Sequence, residues 1–222
     1  LHAAAYNLVT QVPGRGVYYF CICPGGFMVP SATAPGEVVV NGMSPSHRNS
    51  RWANSGIVTE IREEDAMRYG IGPLAGTAYQ AVLEKMAWKE GGMTQRAPAQ
   101  RLTDFVEGRI SSDLPEASYF PGLTPSPLHE WLPADISGRL REGFREFGRK
   151  MKGFITGEAL VAAVESRTSS PVRVLRDPES LHAEGIEGRW PAGEGAGYAG
   201  GIVSSAVDGM LLAARLKAGS RQ

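Results

Sequence analysis

Near one end of the chain, Gly193-Glu194-Gly195-Ala196-Gly197-Tyr198-Ala199-Gly200-Gly201 runs directly into an apolar helical segment beginning at Ile202. An acid, a glycine-rich turn and a helix start form a physical device for holding a ligand. The first turn of a helix leaves backbone N–H groups unpaired and carries a partial positive charge. Glycines let a ligand reach those groups with no Cβ in the way. In this arrangement Glu194 accepts hydrogen bonds from sugar or polyol hydroxyls, and Gly200, Gly201 and Ile202 offer amides to a phosphate or a carbonyl. A crowded turn whose glycines let a helix and strand pack closely explains the same residues. Taken alone, they leave both accounts open.

Two further groups have chemistry to offer. Arg167, Thr168, Ser169 and Ser170 form a polar loop ahead of an expected strand; it either edges a ligand or satisfies itself with local hydrogen bonds. Cys21 and Cys23 are the only cysteines. On a regular strand they share a face about 6.5–7 Å apart, poor geometry for a disulfide. A zinc site needs more ligands, and the four histidines show no ligand spacing. The expectation is two buried, reduced thiols.

Particular elements must position these groups. The first sixty residues read as strands over 6–12, 17–23, 27–29, 37–41 and 56–61, separated by Pro-Gly and Asn-Gly turn signals. Between Pro73 and Gly91 the spacing of Tyr79, Val82, Leu83 and Met86 predicts a helix, closed by Gly91-Gly92. A short helix is expected over 101–107 and a Pro-rich loop over 111–132. Pro133 opens a helix with the stripe Ile136, Leu140, Phe144, Phe147 and Met151. Its Arg141, Arg145 and Arg149 alternate with Glu142 and Glu146, which reads as a solvated face. A helix near 157–164, a strand over 172–175 and a final helix bearing Val203, Val207, Met210, Leu211 and Ala214 on one face complete the reading.

The length of 222 residues, 42% hydrophobic and 21% charged, suits a globular chain of one or two domains. Net charge is zero, and the balance holds within each half, so no nucleic-acid partner is expected. The uncharged run from Gly16 to Gly36 is broken by prolines and glycines and cannot form one spanning helix, so no membrane span is expected. No targeting segment is visible at the start of the sequence, and the expected setting is intracellular and soluble, in the cytoplasm or a plastid. Of the 28 glycines, eight fall between Gly185 and Gly209.

Five segments together resemble a family of FAD-dependent, dehydrogenase-like NAD(P)/FAD-dependent oxidoreductases of poorly defined substrate, found in bacteria and plastid-bearing eukaryotes. They are residues 193–202, Cys23-Pro24-Gly25-Gly26, Asn41-Gly42-Met43-Ser44, Arg96-Ala97-Pro98-Ala99-Gln100-Arg101, and the stretch from Glu165 to Arg173. The resemblance runs from about Tyr6 to Leu216. It implies a doubly wound α/β, Rossmann-like flavoprotein, α+β over this chain. Residues 1–165 would be an inserted, substrate-side domain, β-rich over 1–61 and helical over 72–164; residues 166–222 would return to the FAD-binding domain.

The resemblance implies FAD as cofactor, contacted by Gly193, Glu194, Gly195, Gly197, Gly200, Gly201 and Ile202, with Thr168 and Ser169 at its edge. NAD(P)H is the implied electron donor, and the small-molecule substrate is unknown. No acid–base pair can be named; Cys23 and Arg167 are the catalytic candidates. Family members carry an N-terminal G-x-G-x-x-G loop that this sequence lacks, so it reads as the C-terminal part of such an enzyme, with the N-terminal half as its missing partner. The alternative is a non-catalytic flavin-binding or assembly module of the same fold. A third reading, a flavoprotein acting on RNA, is disfavoured by the neutral charge.

Overall fold

A computed structural model describes residues 8–219. The chain divides into two compact units. One comprises Leu1–Asp65 and Gln80–Ser166, the other Ala66–Tyr79 and Arg167–Gln222.

The first unit is built on an antiparallel sheet in the order β1-β2-β5, from β1 (Leu8–Val12), β2 (Arg15–Pro24) and β5 (Ala53–Thr59). A short hairpin, β3 (Phe27–Pro30) with β4 (Val40–Met43), extends from it. The expected start of β1 at Tyr6 lies outside the described residues. β4 begins later than residue 37: Val39 O still accepts from Ser31 in the hairpin's register, but Val38 N–H donates to Glu84 O, outside the hairpin. A third sheet has the order β7-β6-β8, from β6 (Ala97–Arg101), β7 (Leu123–Pro125) and β8 (Leu160–Ala162). Only its β6–β7 pair is parallel among the described strands.

Helix α5 (Ala134–Lys150) lies across the β1-β2-β5 sheet, as its apolar stripe requires. Phe147 joins Val12 and Val17 in a core flanked by Tyr19, Ile57, Leu140 and Phe154. Gly143 lets the helix descend, since a Cβ there would lie 2.6 Å from Val17 Cγ1. Edge-to-face contacts among Tyr19, Phe147 and Phe154, and between Phe105 and Phe144, fill the layer. The opposite face is solvated only in part: Arg145 pairs with Glu142 and exposed Arg149 with Glu146, but half-buried Arg141 and Arg145 also donate to Val106 O.

The short helix α1 (Glu63–Ala66) is followed by α2 (Ala75–Glu90), which ends where Gly92 adopts φ +87°. Helix α3 (Leu102–Glu107) closes on Gly108 in the left-handed region. The Pro-rich loop contains β7 and a one-turn helix, α4 (Leu128–Trp131).

Two expectations are corrected. Residues 157–164 do not form a helix: Leu160–Ala162 is strand β8, whose β-branched and apolar residues pair with β6, and Ala163 N–H donates to Pro98 O. Residues 172–175 form no strand. Their backbone bonds go to a turn and a loop, Val174 N–H to Ala196 O and Leu175 O from Glu184.

The final helix, α6 (Ile202–Gly219), forms as expected but with its burial inverted. Val203 is 77% exposed and Met210 72%, and Ile202, Val207, Leu211 and Ala214 are also exposed. The one buried side chain described on this helix is Asp208.

Candidate functional site

The glycine-rich segment lies in the second unit and is held by one buried carboxylate. Asp208, in the second turn of α6, accepts bonds from Arg176 Nη2 at 2.6 Å, Arg176 Nη1 at 3.1 Å and Gly193 N–H at 2.8 Å. Both charged side chains are 10% exposed. The Arg176 guanidinium, then the Gly193 amide, hold the Asp208 carboxyl below its ordinary range. Arg176 also donates to Pro191 O at 2.6 Å and lies 3.6 Å over the Tyr198 ring. Tyr198 is thereby fixed, with its hydroxyl donating to Val174 O at 2.9 Å and Arg173 near its ring.

Between these anchors the chain turns on itself. Gly197 N–H donates to Glu194 O and Tyr198 N–H to Gly193 O. Glu194 therefore sits in the turn itself. Its side chain is half-buried and makes no hydrogen bond or ion pair among the described residues.

The five glycines separate into two kinds. Gly193 and Gly197 stand at φ +71° and +82°, and a Cβ on Gly197 would lie 2.6 Å from Val172 O. These two are required by the turn. Gly195, Gly200 and Gly201 have open space where a side chain would stand. With Tyr198, Val207 and Leu211, Gly200, Gly201 and Ile202 line an open groove of about 680 Å³ at the start of α6. One donor is already used, since Gly200 N–H donates to Ser204 Oγ at 3.3 Å.

Thr168 and Ser169 lie in an irregular stretch of the same unit, half-buried and exposed respectively. Arg167 is exposed there. Ser170 binds the glycine turn through Gly195 O, at 3.2 Å. The loop thus bonds partly to itself and partly to residues 193–197.

Three of the other motifs converge in the first unit. Cys23 and Pro24 pair with Asn54 and Ala53, and Ser50 Oγ donates to Gly26 O at 2.9 Å. A Cβ on Gly25 would collide with Arg48 O, and one on Gly42 with Asn54 Oδ1, at 2.1 Å each. The Asn54 amide is closed off with neither its nitrogen nor its oxygen hydrogen-bonded. Glu165 reaches this region, its Oε2 lying 2.9 Å from where a Cβ of Gly56 would stand, and burial pushes its carboxyl up. Cys23 is buried, and its thiol is pushed up to about 11 by burial, by Cys21 and by Glu165, with Arg48 opposing. Cys21 is exposed, correcting the expectation of two buried thiols.

The sequence reading missed Asp208, Arg176 and Glu165. Asp208 had a visible signal: it is the one acid between Glu194 and the end of the chain.

Among the described residues no cluster of His, Cys, Asp or Glu could hold a metal, and no helix is long and apolar enough to cross a membrane. An uncharacterized protein of Clostridium beijerinckii is 43% identical over 217 residues, 96% of this chain and 40% of that protein. The chain thus spans about 40% of the length of the relative it matches. The family described as "FAD-dependent protein, C-terminal domain-like" matches residues 1–168. The match covers most of the chain, which belongs to the FAD-dependent protein, C-terminal domain-like family.

Proposed function

We propose that the chain is the C-terminal part of an FAD-dependent oxidoreductase, in which residues 193–202 contact FAD and the first unit faces the substrate. The carrying observation is the turn clamped by Asp208. It carries the Glu194 carboxylate, which makes no hydrogen bond or ion pair among the described residues, and glycine positions open at 195, 200 and 201, the last two at the start of α6.

This donor set fits a dinucleotide flavin. Glu194 would accept ribitol or ribose hydroxyls, Gly201 and Ile202 would offer amides to a carbonyl or phosphate, and Gly193 and Gly197 would hold the turn's shape. Thr168 and Ser169 would border the ring. When bound, FAD supplies hydride chemistry, with NAD(P)H as the electron donor in this reading. The protein's task is to fix and orient it. The exposed apolar side of α6 would be covered by the Rossmann-like remainder of the longer protein, consistent with a relative more than twice this length.

The longer protein, purified in its wild-type and Glu194→Gln forms, tests this. Flavin released on denaturation, with affinity for added FAD lowered roughly tenfold or more by the variant, is expected for one lost charge-assisted bond. A colourless wild-type protein that binds no added FAD refutes the reading. Flavin that binds yet is reduced by neither NADH nor NADPH without oxygen favours a non-catalytic module.

A further inference from the structure

In a regular strand, Cys21 and Cys23 would stand too far apart to react with each other. Strand β2 is not regular there. Its register with β5 slips between Phe20 and Cys23: three steps along β2 are matched by two along β5, from Gly56 to Asn54. Within this bulge Cys21 adopts φ +51°, a left-handed conformation that costs a non-glycine residue about 1–2 kcal/mol. The Cys23 thiol folds back and donates to Cys21 O at 3.4 Å, which turns its sulfur toward the residue two places before it. One thiol is open to solvent and the other shielded. An accessible attacking sulfur beside a protected resolving sulfur is the arrangement that disulfide exchange needs.

We propose that Cys21 and Cys23 form a dithiol that exchanges with small disulfides, cycling between two thiols and one intramolecular disulfide. Take glutathione disulfide as the co-reactant. The Cys21 thiolate attacks one of its sulfurs, the S–S bond breaks, and one glutathione leaves and takes up a proton. Cys23 then gives its proton to solvent and attacks Cys21 Sγ, breaking the mixed bond and releasing the second glutathione. Two protein thiols are oxidised and one glutathione disulfide is reduced to two thiols. The surroundings favour this order. Cys21 is open to solvent and meets the glutathione disulfide first, whereas Cys23 is buried and meets it only through Cys21. This site does not depend on flavin binding.

The test uses the purified chain in graded mixtures of glutathione disulfide and glutathione, quenched with acid and weighed intact. The wild-type protein is expected to become lighter by two hydrogens with no lasting glutathionyl adduct, and peptide mapping should place the bond between Cys21 and Cys23. Cys23→Ser should instead hold one glutathionyl group on Cys21, and Cys21→Ser should acquire neither change. A wild-type protein that keeps a lasting adduct, stays fully reduced, or links two chains overturns the proposal. The wild-type arm stands even if a variant fails to fold.

Discussion

Replacing Asp208 with alanine removes the acceptor for three hydrogen bonds and strands the Arg176 guanidinium, which is 10% exposed, without its counter-charge. Removing one partner of a buried pair costs about 3–5 kcal/mol, because the remaining charge stays desolvated. Asp208→Asn should cost less, about 2 kcal/mol: one oxygen remains for Gly193 or Arg176, but the bidentate grip is lost. The readout is amide exchange at Gly193, whose N–H donates directly to Asp208. A local loss of about 3 kcal/mol corresponds to more than a hundredfold faster exchange where opening limits it. Arg176→Met in the Asp208→Ala background removes the stranded charge, so the double variant should lose less than the two single losses added together, by at least about 1 kcal/mol. The pH dependence has a definite sign. The native carboxyl is held below its ordinary range, so its contribution is complete above the unfolded value of about pH 4 and fades as pH falls through the depressed native value. An Asp208→Ala protein whose Gly193 amide exchanges within threefold of wild type would refute the clamp, as would strict additivity in the double variant.

Gly197→Ala should destabilise the second unit by about 2 kcal/mol or more in denaturant unfolding, since φ is +82° and Val172 O blocks a Cβ. Gly195→Ala and Gly200→Ala, with open space on that side, should leave stability within about 0.5 kcal/mol while weakening any ligand that approaches there. Glu165→Gln should raise the melting temperature at pH 7 and change little near pH 4. Burial raises the native carboxyl above its unfolded value, so the native state pays a penalty that grows as pH climbs through that interval. A lower melting temperature for Glu165→Gln at pH 7 would show that its ionised form makes a favourable contact.

Elements with a clear period were legible in the sequence. The stripe of α5 was found because its apolar positions are set by packing against a sheet formed by its own chain. Gly91-Gly92 marked a helix end because the left-handed turn at Gly92 tolerates little else. Where pairing partners are remote, the reading failed. The apolar residues of β8 suit a helix or a strand equally, and only β6, about sixty residues earlier, decides between them. The stretch over 172–175 has strand composition but bonds to a glycine turn. The bulge at Cys21 was invisible because it follows from a register fixed by β5, not from β2's own residues. The candidate ligand-contact segment was located by its glycines. The clamp beneath it was not, because an isolated Asp in a helix does not announce an arginine thirty residues upstream.

Because Asp208 belongs to α6 while Gly193 and Arg176 belong to the turn and its neighbouring segment, the three bonds make helix and turn a single mechanical part. Rotating α6 by one residue about its axis swings a side chain by roughly 100° and would break all three bonds together. Whatever surface seats the apolar side of α6 therefore also sets the position of the Glu194 carboxylate. Assembly and ligand geometry then share one adjustment, and a substitution on α6 far from any ligand can misplace the turn without altering a residue in it.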